Sequence, residues 1–203
     1  MSATLYDSVR SYIGRGFRPI PVYGIVADWC ECGLLGCKER DHGKHERPDT
    51  DGTWKDGDVS FGPSDFGEHS NVALAMGPQP DGRWLVALDA DGDFDWSPLG
   101  KLPPTLTQKS PRGQHRIFEV EPYAPLGNWV DVFGDKPDPH LDLRYARGRI
   151  IVSPSRNAFG KYEWIDERAP APLPPLAISM ILDARVSRGL PVQEYWARDG
   201  KVA

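Results

Sequence analysis

The sequence predicts an α+β fold, a mostly antiparallel sheet with helices on one face and polar chemistry on the other. Three observations predict it. Five short apolar runs, NVALAM, WLVALDAD, HRIFEV, HLDLRY and RIIVSPS, are separated by Gly and Pro turn signals. Helical spacing is confined to the two ends of the chain. Residues 28–70 are polar, rich in Gly, Asp and His and without periodicity, which reads as a loop-rich insertion.

Leu5, Tyr6, Val9, Tyr12 and Ile13 recur at helical spacing until Gly14 and Gly16 stop the pattern, so an opening helix is expected. RPIPVYGIV follows as a short strand, then come the insertion and the five strand-like runs, with weak helical material at 92–106. From Pro174 to Gly189, Leu176, Ala177, Met180, Ile181 and Ala184 share a face between an initial proline and a final glycine, which predicts a closing helix over 174–189. Residues 1–203 read as one catalytic unit.

No run of eighteen apolar residues occurs, and the first residues lack the basic-then-apolar order of a secretory signal. A soluble, cytoplasmic protein with no membrane partner is expected. A net charge of -5 argues against nonspecific coating of duplex DNA, which needs many Lys and Arg contacts to phosphate. The charge is uneven: 101–118 and 143–162 hold bases without acids, whereas Asp81, Asp89, Asp91, Asp93 and Asp95 surround one base, Arg83. Acidic and basic walls are what metal-bound polyphosphate requires.

In WLVALDADG the period of two puts Leu85, Ala87, Asp89 and Asp91 on one face, with the two carboxylates side by side. In HLDLR, Leu141 and Leu143 face the core while Asp142 and Arg144 share the other side. Three carboxylates suit a two-metal phosphoryl-transfer site, where cations neutralise the attacking and leaving oxygens. An acidic turn and an exposed ion pair are the structural alternatives for each motif alone. TQKSPRGQH sets a turn of Ser110, Arg112 and Gly113 before His115, with Lys109, Arg112 and Arg116 suited to triphosphate. Gly113 would let backbone approach a ligand. Cys30, Cys32 and Cys37, followed by His42 and His45, have the ligand types and close spacing of a structural zinc site.

From GFRPIPV through the Cys/His segment ending in GKH to NVALAMG, LDADG, SPRGQH, LDLR and GRIIVSPSRNAFGKYEW, the order of motifs resembles the bifunctional primase-polymerase amino-terminal domain of the archaeo-eukaryotic primase superfamily. Such domains occur in phage and plasmid replication proteins, often joined to a helicase. The resemblance implies an RRM-like catalytic core with a zinc-binding loop insertion. It implies catalytic Mg2+ or Mn2+ on Asp89, Asp91 and Asp142, nucleotide contacts from Ser110, Arg112, Gly113, His115 and Arg144, and Zn2+ on Cys30, Cys32, Cys37 and His45, with His42 as the alternative fourth ligand. Ser153, Ser155 and Lys161 would line the nucleotide or template path. The expected partners are single-stranded or primer-template DNA, nucleoside triphosphates and a helicase domain or protein. The isolated domain is expected to be a monomer in a bacterial or archaeal cytoplasm. Three carboxylates equally suit a metal-dependent phosphodiesterase or nuclease, and a noncatalytic zinc-containing DNA-binding module is a third reading. Trp129, Tyr145 and Trp164 are expected in the core in preference to a base-stacking surface.

Overall fold

The computed structural model describes residues 3–50, 53–56, 60–134 and 139–192. The chain enters through helix α1 (Ala3–Gly14) and strand β1 (Pro19–Val22), and a small hairpin, β2 (Ile25–Val26) and β3 (Trp29–Cys30), opens the insertion. The rest of the insertion is irregular apart from short 3-10 turns. Next come β4 (Asn71–Ala75), β5 (Gly77–Pro78), β6 (Trp84–Asp91), β7 (Leu106–Lys109), β8 (Gly113–Val120), β9 (His140–Arg144) and β10 (Arg149–Val152). The hairpin β11 (Arg156–Asn157) and β12 (Gly160–Lys161), then β13 (Glu163–Asp166), β14 (Ala171–Pro172) and helix α2 (Pro175–Ser187), complete the described chain. Where weak helical material was predicted at 92–106, a single 3-10 turn at Ser97–Leu99 forms.

The strand-like runs divide between two sheets. The main sheet has the order β13-β7-β8-β6-β5, with β9 also on β6 and β14 on β8. Its pairings are antiparallel except for β14 with β8. The second sheet, β1-β4-β10, is wholly antiparallel. NVALAM is buried along its full strand and RIIVSPS along most of its strand, because this second sheet is covered on both faces.

Both faces of β6 are buried as well, which is why WLVAL reads as one apolar run. Val86, Leu88 and Ala90 pack with Phe118, Leu141 and Leu143 against Ala177 and Ile181 of α2. Leu85 and Ala87 pack on the other side with Ile117, with Leu5, Val9 and Tyr12 of α1, and with Val72, Leu74, Ile150 and Val152 of the second sheet. On the far side of that sheet, Ile20, Ala73 and Ile151 meet Trp54 of the insertion.

The expectation of both helices on one face is therefore corrected. α2 covers one face of the main sheet, while α1 and the second sheet cover part of the face that carries the aspartates. The physical reason is that β4 and β10, apolar on both sides, need a layer of their own. Trp129 and Tyr145 lie in the α2-side core, and Trp164 packs against the opposite core, its indole N–H donating to the Tyr12 hydroxyl at 2.8 Å. Among the described residues, no helix is long and apolar enough to cross a membrane.

A Cβ on Gly113 would lie 2.1 Å from the Ala90 carbonyl oxygen, whereas a Cβ on Gly14 meets nothing within 4 Å. Gly113→Ala should therefore cost about 1–3 kcal/mol by overpacking β8 against β6, and Gly14→Ala should be neutral or stabilising by up to about 1 kcal/mol. Urea unfolding of the two variants checks this contrast, and equal midpoints would contradict it.

Candidate active site

The register of three strands assembles the site. Asp89 of β6 is the direct partner of His115 on β8 and of Asp142 on β9, and His115 is in turn the partner of Gln108 on β7. One row, Gln108, His115, Asp89, Asp142, thus crosses four strands on the face shared with Leu85 and Ala87. Asp91 stands one row on, opposite His140 and Gly113. The three aspartates and His115 line one cleft of about 470 Å3 with Ser110, Arg112, Arg144, Arg147, Arg149, Lys44 and Lys55.

Each carboxylate is held by donors. His115 Nε2 lies 3.0 Å from Asp89 Oδ1, and Arg144 Nε lies 3.8 Å from Asp89 Oδ2. Arg112 Nη2 donates to Asp91. Asp142 accepts from Arg144 Nη2 at 2.8 Å and from the Asp131 backbone N–H at 2.8 Å. His140 Nε2 sits 3.6 Å from both Asp91 Oδ2 and Asp142 Oδ1, so the gap between those oxygens cannot exceed roughly twice that distance. Burial opposes ionisation of Asp89, but His115, through its hydrogen bond from Nε2, then Arg144 and Lys44, hold its carboxyl well below the usual carboxylate range.

The His115 tautomer follows from its other neighbour. The Ser153 backbone N–H donates to Gln108 Oε1 at 3.2 Å, which fixes the Gln108 amide so that Nε2 donates to the Ile151 carbonyl at 2.7 Å and to His115 Nδ1 at 2.7 Å. With Nδ1 accepting, Nε2 carries the proton and presents it to Asp89. Tyr162 closes this corner, its ring centroid 5.8 Å from that of His115 and its hydroxyl accepting from Asn157 Nδ2 at 2.9 Å.

Several of the expected site residues also have structural duties. Gly113 is required by the close approach of Ala90, so a glycine there serves strand pairing. The Ser110 hydroxyl accepts the Gly113 N–H at 3.0 Å, which supports the β7–β8 turn, and the residue lines the cleft. The Ser155 hydroxyl is engaged by Val72, donating to its carbonyl at 3.0 Å and accepting its N–H at 2.9 Å, while Ser153 contributes backbone and Lys161 is exposed. The acid-rich stretch also splits. Only Asp89 and Asp91 reach the cleft; Asp81 pairs with Arg83, and Asp95 accepts from Ser97 at the surface.

The sequence reading assigned no site role to Gln108, His140, Tyr162, Lys44 or, beyond its place in the basic run 143–162, to Arg149. The alternation that groups Asp142 with Arg144 also reaches His140, which was therefore legible. The other four depend on pairing and loop placement that no local pattern carries.

Beside the cleft, Cys30, Cys32, Cys37 and His45 each offer a ligand atom, all within 4.8 Å of one another, a donor set that can hold a metal ion. His45 Nε2 is 3.0 Å from Cys30 Sγ and 3.5 Å from Cys37 Sγ. His42 lies outside this group, with Nε2 3.2 Å from the Cys37 carbonyl. Burial and the neighbouring Cys32 and Cys30 sulfurs push the Cys37 thiol up to about 12, so without a metal Cys37 retains a proton that a metal would displace. At Cys32, burial is outweighed by hydrogen bonds from the Leu34 backbone and from Cys30 and Cys37, which lower its thiol.

An α+β chain of this kind, with three acids and several bases facing one cleft and a Cys3His cluster next to it, has the parts of a metal-dependent phosphoryl-transfer protein. Residues 10–176 match the family described as bifunctional DNA primase/polymerase, N-terminal (Prim-Pol), and the chain belongs to that family. Membership points to a primase/polymerase-type function in replication, with DNA and nucleoside triphosphates as ligands. Comparison with curated proteins finds no match.

Because Asp89 ionises more readily folded than unfolded, its stabilising contribution is full above about pH 4 and is lost as pH falls through its lower folded value. With chelator present, the unfolding free energy of Asp89→Asn should decline less steeply below about pH 4 than that of the wild type. Parallel acid limbs in urea titrations at stepped pH would refute this.

Proposed function

We propose that the chain is a template-dependent nucleotidyltransferase, the catalytic domain of a DNA primase/polymerase with an RRM-like core, which extends or initiates primers from nucleoside triphosphates. The observation that carries this reading is the meeting of Asp89, Asp91 and Asp142, from two paired strands, with cationic side chains from four other segments in one cleft. Directly opposed carboxylates repel each other unless cations compensate, and hard oxygen donors suit Mg2+ or Mn2+. The three aspartates would hold these ions, which when bound neutralise charge on the phosphates.

The chain's own groups do the rest. Arg144 and Arg112, which pair with Asp142 and Asp91, stand where they can turn to the phosphates of an incoming nucleotide. His115 keeps its proton on Nε2 at the cleft floor because Gln108 occupies Nδ1, so it can donate to a phosphate oxygen in place of Asp89. The reaction supported is attack of a primer 3′ hydroxyl on the α-phosphate, with pyrophosphate leaving. Template pairing selects the base. The Cys3His cluster would hold Zn2+ structurally, since four protein ligands leave no position for water.

Incubation with labelled primer-template DNA, both nucleotide types and either metal tests the reading. Template-directed extension supports it. Shortening of DNA without nucleotides would make the protein a nuclease, and metal-independent DNA binding with no incorporation would leave a noncatalytic module. Asp89→Ala and Asp91→Ala should abolish incorporation with the circular dichroism spectrum unchanged, because the loss falls on transition-state stabilisation. His115→Ala should act chiefly on the Michaelis constant for nucleotide. Extension of an existing primer should outpace unprimed synthesis, since initiation must hold two nucleotides and a template without a duplex; efficient unprimed synthesis would contradict this. Elemental analysis should find one zinc per chain, and its loss in Cys32→Ser should leave the carboxylate cleft folded.

A further inference from the structure

The segment between the metal cluster and the cleft is held at four consecutive residues. The Gly43 carbonyl accepts from Asn71 Nδ2 at 2.8 Å, the Lys44 carbonyl from Arg149 Nη2 at 3.2 Å and the His45 carbonyl from the Tyr23 N–H at 3.1 Å. The Glu46 carboxylate pairs with Arg149 Nη1 at 2.5 Å. Gly43 has φ 75°, and a Cβ there would lie 2.8 Å from the Arg156 carbonyl oxygen, so the segment is seated against the body of the protein. Within it, two adjacent side chains go opposite ways. His45 turns to Cys30 and Cys37, and Lys44 turns into the cleft that holds the aspartates.

Lys44 is half-buried there, its ammonium 5.9 Å from the centroid of the Phe159 ring and held by no ion pair among the described residues. A lysine ammonium is a compact, strongly hydrated charge, and partial burial without a partner is unfavourable unless an anion joins it. Asp89 and Asp91 attract it at longer range, but Arg112 and His115 already engage those carboxylates, and divalent ions on the acids would cancel that attraction. The charge balance of the loaded cleft then calls for an anionic ligand at Lys44.

We propose that Lys44 binds the polyphosphate of the incoming nucleotide, and that the Cys3His site, by fixing His45, sets the position of Lys44 and so couples metal occupancy of the loop to triphosphate affinity. This rests on the cleft being the nucleotide site. Arg149 strengthens the coupling, since one guanidinium holds both the Lys44 carbonyl and Glu46 while itself lining the cleft.

Equilibrium binding of ATP and dATP, with Ca2+ as the divalent ion so that no turnover intervenes, tests this on four proteins: wild type, Lys44→Met, Cys32→Ser and the double variant. Elemental analysis of each accompanies the titrations. Lys44→Met should keep the loop metal yet bind triphosphate about tenfold more weakly. Cys32→Ser should lose the metal and weaken binding to a similar extent, and the double variant should be no worse than either single one, because both remove the same contact. Lys44→Arg should retain most of the affinity. Wild-type affinity in Lys44→Met would overturn the Lys44 contact and the coupling with it, and losses that multiply in the double variant would overturn the coupling; neither result touches the nucleotide-site reading. A wild-type protein that binds no triphosphate would overturn the nucleotide-site reading and this inference with it.

Discussion

The register of β6 between β8 and β9 is the constraint on which the rest depends. It sets Asp89 directly opposite both His115 and Asp142. Acids opposed across a sheet destabilise it, and the structure offsets that cost with Arg144, Arg112, His140 and the Asp131 N–H. A register slip of one residue would send Asp89 and Asp91 into the α2-side core and Leu88 and Ala90 into the cleft. The buried alternation of β6 against two cores makes that slip prohibitive, so hydrophobic packing holds the acids together.

Layering explains why the cleft sits where it does. Along one face of β6 the side chains pass from Leu85 and Ala87, covered by α1 and the second sheet, to Asp89 and Asp91, which line the cleft. β10 spans the same transition: Ile150 and Val152 join the core while Arg149 lines the cleft. Gln108 ties the two sheets beside this boundary through the Ile151 carbonyl and the Ser153 N–H, and the same amide fixes the His115 tautomer. Sheet packing and proton placement thus share one side chain.

The insertion is joined to this core at several points. Trp54 is buried against the second sheet, Arg149 reaches across to Glu46, and Val22 pairs with Glu46 as an isolated bridge. The loop that carries the cysteines therefore ends on the wall of the cleft, and a change in the loop is felt by groups facing the aspartates.

The sequence by itself determined the α+β class, α1 and α2, and the faces of β6 and β9. Period-two and period-3.6 patterns report burial on one element at a time, and Asp89, Asp91, Asp142 and Arg144 lie within such patterns. It also supplied the three cysteines and two candidate histidines of the Cys3His cluster, because those ligands are close in the chain. Only the tertiary structure decided which strands pair, and hence that Asp142 meets Asp89 and that Gln108 lies behind His115. It also separated His45 from His42, gave Gly113 and Ser155 to packing, divided the strands between two sheets and brought Lys44 beside Asp89. Those outcomes depend on contacts between residues distant in sequence, whose energies no local periodicity records.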